Sequence, residues 1–194
     1  MINFKCRILA IFFLVFSGFS YSNPTLIRHN FNLSANIKQN TNDFYVMEVG
    51  TGSNSTIVFK WDDETKDFIM PNQAPIYLKI KAKNNVSVYT STLPQLKSNQ
   101  GATIPIKINM QPEVNVSSLA GKVGVDDINT IKKTVYTVDP NETTGVATGT
   151  EVTFGVTFKA LKTGMTDKDQ TTVSKPQPGS YSASIALIFE SDLS

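Results

Sequence analysis

The chain has 194 residues, 18 Lys and Arg against 16 Asp and Glu, one cysteine and one histidine. A charge balance this close to neutral argues against nucleic acid or an anionic membrane surface as partner. With Cys6 and His29 the sole residues of their kinds, His- or Cys-based metal sites are excluded, and any Ser-His-acid triad would depend on His29 alone.

Lys5 and Arg7 form a short basic region, and Ile8 to Phe16 is an unbroken apolar run of signal-peptide length, shorter than a membrane span. Small residues follow at Ser20 and Ser22, so residues 1–22 are expected to be a signal peptide cut after Ser22, with Ser20 the next choice. Its removal takes away Lys5, Arg7 and Cys6 and no acid, which leaves 172 residues with 16 bases, 16 acids and no cysteine. An exported chain normally has access to disulfides, and this one is expected to fold without them. Its length suits one domain with a real core.

Ile27, His29, Phe31, Leu33, Ala35 and Ile37 alternate with Arg28, Asn30, Asn32, Ser34 and Asn36, the two-residue period of a half-buried strand. At about 3.3 Å per residue this stretch would be roughly 36 Å long, longer than most strands. A long apolar strand at a free end aggregates unless something receives it, and a groove on a second copy of the chain is the expected receiver. Residues 23–38 are therefore set apart from residues 39–194.

Short period-two runs follow, separated by Asn, Asp, Gly and Pro. They are Phe44 to Val49, Ile57 to Trp61, Phe68 to Met70, Ile76 to Ala82 and the Val86/Val88 pair after the Asn84-Asn85 turn. Ile104, Ile106, Ile108 and Met110 make another strand, with Pro105 favouring an edge or strand-start position. Val114 and Val116, Val123 to Val125 and Lys133 to Val138 are weaker candidates, whereas Val152, Phe154, Val156, Phe158 and Ala160 form a strong one. The last run is Tyr181, Ala183, Ile185, Leu187 and Phe189, alternating with Ser182, Ser184, Ala186, Ile188 and Glu190 after the turn at Pro176 to Gly179. One face of this strand is expected in the core and its backbone edge open to a partner strand, since no apolar segment follows Glu190. Val125 to Lys133 has room for one short helical turn. Asp139 to Gly149 and Gly164 to Pro178 read as exposed, mobile loops. About ten strands with almost no helix predict an all-β fold, an immunoglobulin-like β-sandwich.

Carboxylates cluster at Asp62, Asp63, Glu64 and Asp67 and at Asp126 and Asp127. Neither cluster has the glycine-punctuated spacing of a calcium loop, so solvated turns are expected and no metal or other cofactor. Five Asn-x-Ser/Thr sequons begin at Asn32, Asn54, Asn85, Asn115 and Asn141, as composition alone would produce.

With Phe31-Asn32-Leu33-Ser34-Ala35-Asn36-Ile37 directly after a signal peptide, and Pro178-Gly179-Ser180-Tyr181-Ser182-Ala183-Ser184-Ile185-Ala186-Leu187 near the other end, the chain resembles the major pilins of enterobacterial colonisation-factor fimbriae. This is the alpha or class 5 group, assembled by a chaperone and an usher. Thr56 to Thr92 and Pro94-Gln95-Leu96 look like the family's central strands. Lys38-Gln39 departs from the Asp-Pro that typically follows the donor strand.

The resemblance implies a sandwich that lacks its final strand. A periplasmic chaperone lends one, and the N-terminal strand of the next subunit then replaces it. Donor residues would be Ile27, Phe31, Leu33, Ala35 and Ile37, and the chaperone-docking and acceptor-groove strand would carry Tyr181, Ala183, Ile185, Leu187 and Phe189. Burying Ile27, Phe31, Leu33 and Ile37 at about 1.5–3 kcal/mol each would contribute roughly 6–12 kcal/mol per junction as an upper bound. Implied partners are other copies of the subunit, a periplasmic chaperone, an outer-membrane usher, a tip adhesin and a host receptor. The implied location is a fimbria on the cell surface, reached through the periplasm, and the implied role is structural and adhesive, not enzymatic. Three rivals stand beside it: a minor or tip subunit, a secreted monomeric glycan-binding sandwich whose Trp61 and tyrosines stack on sugars, and an exported hydrolase. The glycan binder would keep the N-terminal strand paired within its own chain.

Overall fold

The computed structural model describes residues 26–30, 43–49, 56–70, 75–113 and 123–191, with Leu26–Asn30 and Thr56 as backbone. Twelve strands run in chain order: β1 Leu26–Asn30, β2 Phe44–Val49, β3 Thr56–Asp62, β4 Asp67–Ile69, β5 Ile76–Ala82, β6 Val86–Thr90, β7 Gln95–Ser98, β8 Thr103–Pro112, β9 Lys133–Tyr136, β10 Glu151–Ala160, β11 Tyr181–Ser182 and β12 Leu187–Ser191. Among the described residues there is no helix, and the fold they make is all-β.

The strands form a sandwich of immunoglobulin type. A six-stranded sheet in the order β11-β7-β8-β10-β5-β2 faces two three-stranded sheets, β12-β6-β9 and β1-β3-β4. Its centre is the β8–β10–β5 trio, antiparallel throughout, with Phe154 opposite Leu78 on one side and Pro112 on the other. Strict alternation fixes which face is dry: Ile104, Ile106, Ile108 and Met110 of β8, and Val152, Phe154, Val156, Phe158 and Ala160 of β10, are all buried. They join Phe59, Trp61, Val86, Val88, Leu187 and Phe189 from the other sheets in one contiguous core. The opposite face of β5, with Tyr77, Lys79 and Lys81, is half-exposed.

Pro105 is the third residue of β8, near the strand start and not at a sheet edge, because β8 is laddered on both sides. Leu161 donates to the Pro105 carbonyl at 2.9 Å, just past the Ala160–Ile106 pair. Proline has no N–H to return that bond, and the β8–β10 ladder ends there.

Two corrections concern the loops. The segment from Asp139 to Gly149 is not wholly exposed: Val146 is buried and exchanges backbone bonds with Thr137 and Asp139 at 2.9 Å each. A Cβ at Gly145 would run into the Thr137 carbonyl, so a glycine is required for this close approach. In the segment from Gly164 to Pro178, Met165 is buried and Thr166 bridges both Thr103 and Thr172, which makes it an ordered cover over the start of β8. Apolar residues isolated among polar ones supplied the burial that overall polarity concealed. The segment from Val125 to Lys133 forms bends without a helical turn, with Ile128 plugged into the core. Val125 makes a single bridge to Met110, and Val114 and Val116 lie outside the described residues.

Candidate functional site

Tyr181 to Phe189 is not one strand. β11 pairs with β7, Ser182 opposite Lys97, while β12 pairs with β6, Leu187 opposite Thr90. Residues 183–186 carry no strand. The cause lies in the partner: β6 and β7 belong to different sheets and are joined through a corner that contains Pro94, so a strand following both must cross from one sheet to the other.

The side-chain alternation survives the break. Tyr181, Ile185, Leu187 and Phe189 are buried and Ala183 is half-buried, whereas Ser182 and Ser184 are exposed and Ala186, Ile188 and Glu190 half-buried. Tyr181 anchors the start of the run: its hydroxyl donates to the Gln177 carbonyl at 3.0 Å, and burial pushes the phenol above its ordinary pKa. At the end of the β12–β6 ladder the buried Thr90 hydroxyl has no hydrogen-bond partner among the described residues.

Where the two paths diverge, a groove of about 720 Å³ opens, lined by Thr92, Leu93, Gln95 and Lys97 on one side and by 182–185 on the other. Leu93 is 64% exposed at this corner and Ile185 is buried. Residue alternation gave no sign of the groove's second wall, because β7 has Leu96 as its only apolar residue; only the resemblance touched it, at Pro94-Gln95-Leu96.

Both β11 and β12 stand at the end of their sheets in the described strand order. Close to β11 runs β1, which belongs to the other layer and is laddered antiparallel to β3 of the same chain, Ile27 opposite Phe59 and Arg28 opposite Val58. Of the expected donor residues, Ile27 lies in β1, and Phe31, Leu33, Ala35 and Ile37 lie outside the described residues. His29 is opposite Ile57.

The acidic cluster after β3 is engaged within the protein. Asp62 accepts from the Glu64 N–H at 2.8 Å and the Thr65 hydroxyl at 3.0 Å, and these bonds lower its pKa. Asp63 accepts from the Trp61 indole at 3.1 Å and pairs with Lys175 at 2.6 Å, and Asp67 lies 3.6 Å from Lys162. The β3–β4 hairpin is thereby clasped to the segment that covers β8. In the second cluster the Lys133 ammonium donates to the carbonyls of Asp126 and Asp127 at 3.0 and 2.6 Å. Trp61 is buried edge-on against Phe68, ring centroids 5.1 Å apart, and does not present a face for stacking on a sugar. Tyr45 and Tyr89 spend their hydroxyls on Glu151 and Glu190, cross-strand bonds that raise both phenol pKa values.

No protein-family model matches the chain, and no curated protein matches it. Among solved structures it is similar to the CooA pilin subunit from enterotoxigenic Escherichia coli, at 12% identity and a TM-score of 0.38, over 88% of this chain and 100% of that one. A likeness at that level carries no functional argument, so function is argued from the residues.

Proposed function

We propose that the protein is a structural subunit of an adhesive surface fimbria, exported to the periplasm, held there by a chaperone, passed to an outer-membrane usher and polymerised by donor-strand exchange. The supporting observation is the pairing of strand ends. An N-terminal strand lies on β3 and close to β11, which stands at the end of its own sheet. In the polymer the alternating arm, with Ile27, Phe31, Leu33, Ala35 and Ile37, comes from a neighbouring copy and completes the fold against the run that carries Tyr181, Ala183, Ile185, Leu187 and Phe189, β11 and β12 with the crossing between them. Each copy gives one strand and accepts one, a head-to-tail contact that propagates and does not close. Function then resides in strand pairing and requires neither a catalytic group nor a cofactor.

The test is deletion of Asn23 to Ile37. The truncated subunit is expected to bind its periplasmic chaperone and to be absent from filaments seen by negative-stain microscopy; polymerisation of the truncated protein would overturn the donor assignment. One observation favours a second reading, a secreted monomeric glycan-binding sandwich: β1 is paired within its own chain. The burial of Trp61 removes the aromatic platform that this reading needs most.

A further inference from the structure

β3 has two ladder partners. β4 reaches only Lys60, Trp61 and Asp62, so among the described strands Ile57 and Val58 are laddered by β1 alone. A sheet edge accepts one strand at a time, and an open edge recruits foreign strands. Residues 31–43, which join β1 to the start of β2, could span at most about 47 Å, and a tether that short holds its two ends at an effective concentration in the millimolar range. Below that subunit concentration, pairing with the chain's own β3 precedes pairing with a neighbour's.

From this we infer that Leu26–Asn30 is a self-cap. On an unassembled subunit it closes its own β3 edge in the register Leu26–Lys60 to Asn30–Thr56. It must leave before the arm of a second copy can take that edge. The same five residues are therefore a cap in the monomer and part of a donor in the polymer, and the two uses are mutually exclusive. The inference rests on the donor-strand reading for its second half only.

The processed chain has no cysteine once residues 1–22 are removed, so an engineered pair reports cleanly. Opposed residues of an antiparallel pair have Cα atoms about 4.5–5.5 Å apart, within disulfide reach. Arg28→Cys with Val58→Cys is the first pair and Leu26→Cys with Lys60→Cys the second, both in register. Dilute, full-length processed subunit is oxidised and run on non-reducing gels, and filament growth is followed by light scattering before and after reduction.

The expected result is an internal disulfide at monomer mass, loss of filament growth while oxidised and its return on reduction. Disulfides only between molecules, or none with either pair, would overturn the self-cap and leave donor-strand exchange standing. An internal disulfide with undiminished growth would overturn the mutual exclusion. An internal disulfide with no growth even after reduction would keep the cap and sink the donor-strand reading. Hydrogen exchange on the unsubstituted monomer guards against a folding artefact: consecutive amides of a strand point to opposite edges, so whichever of Ile57 and Val58 donates to β1 should exchange faster once Asn23 to Ile37 is deleted, and unchanged rates at both would also overturn the cap.

Discussion

Buried hydroxyls and capped carboxylates define the pH range over which this sandwich holds. Asp139 accepts from the backbone N–H groups of Asn141, Thr143 and Thr144 and from the Thr144 hydroxyl, which depresses its pKa and folds the loop beneath it. Asp62, Asp63, Asp67 and Glu151 are lowered as well, each by its own hydrogen bonds. A carboxylate depressed in the folded state contributes stability above its unfolded pKa, about 4, and that contribution is lost as pH falls through the folded value. At the alkaline end burial raises Tyr136 and Tyr181, so they hold their protons when the unfolded chain has lost them, and stability falls as pH rises past about 10. The melting temperature is thus expected to be flat between about pH 5 and 9 and to drop on both sides, with Asp139→Ala weakening the acid limb; an unchanged acid limb in that variant would refute the role of the loop cap. Tyr136→Phe removes the bond from its hydroxyl to the Thr150 carbonyl at 2.6 Å and should cost about 1–2 kcal/mol in urea titration, with a shallower alkaline drop.

At the scale of elements, the strands legible in the sequence are those whose alternation is long and whose partners are regular. β2 and β5 have the expected bounds, Phe44–Val49 and Ile76–Ala82, and β10 encloses the expected Val152 to Ala160. β7 was not legible from alternation because Gln95, Lys97 and Ser98 around Leu96 are polar, and only the resemblance reached it; its place is set by β8, with Leu96 opposite Ile104. The break in the last strand was equally hidden: alternation continues through it, and the bend belongs to the partner strands at Pro94. The burial of Tyr181, Ile185, Leu187 and Phe189 could be read from period two alone, but the groove beside Ser182 and Ile185 required knowing where β7 lies. Leu187, 1% exposed, and Ile188, half-exposed opposite Tyr89, now separate core from surface on one strand. An unpaired charge at the first costs several kcal/mol, comparable with a small domain's whole stability. Under the proposed chaperone-assisted assembly, Leu187→Asp should therefore be degraded in the periplasm and escape capture by the chaperone, Ile188→Asp should be captured nearly as well as the unchanged subunit, and Leu33→Asp should be captured yet fail to assemble. Equal capture of Leu187→Asp and Ile188→Asp would remove this strand from the docking site.

For the whole molecule, the question is whether the sandwich is complete without its N-terminal arm. A self-contained glycan binder and a self-capped pilin subunit share the β1–β3 ladder and differ in what its removal does. If the arm is an integral strand, deleting Asn23 to Ile37 unfolds the domain and no added segment is needed in the normal chain. If the arm is exchangeable, the truncated subunit keeps a site for it, and a ligand that binds only the folded state stabilises it by mass action, about 2.7 kcal/mol at a hundredfold excess over Kd. A domain of this size shifts by roughly 2–4 °C per kcal/mol. A peptide spanning Leu26 to Lys38 is therefore expected to raise the melting temperature of the truncated, chaperone-released subunit by about 5–10 °C at that excess. The same peptide with Phe31 and Leu33 replaced by Asp should give no shift, because two unpaired charges would enter the groove at the centre of its apolar face while its Asn and Ser face is intact. The full-length monomer should respond far less than the truncated one, since its own arm competes at millimolar effective concentration. No shift in the truncated subunit with the unaltered peptide would mean that the arm is not a transferable strand, and assembly by strand exchange would then have no acceptor.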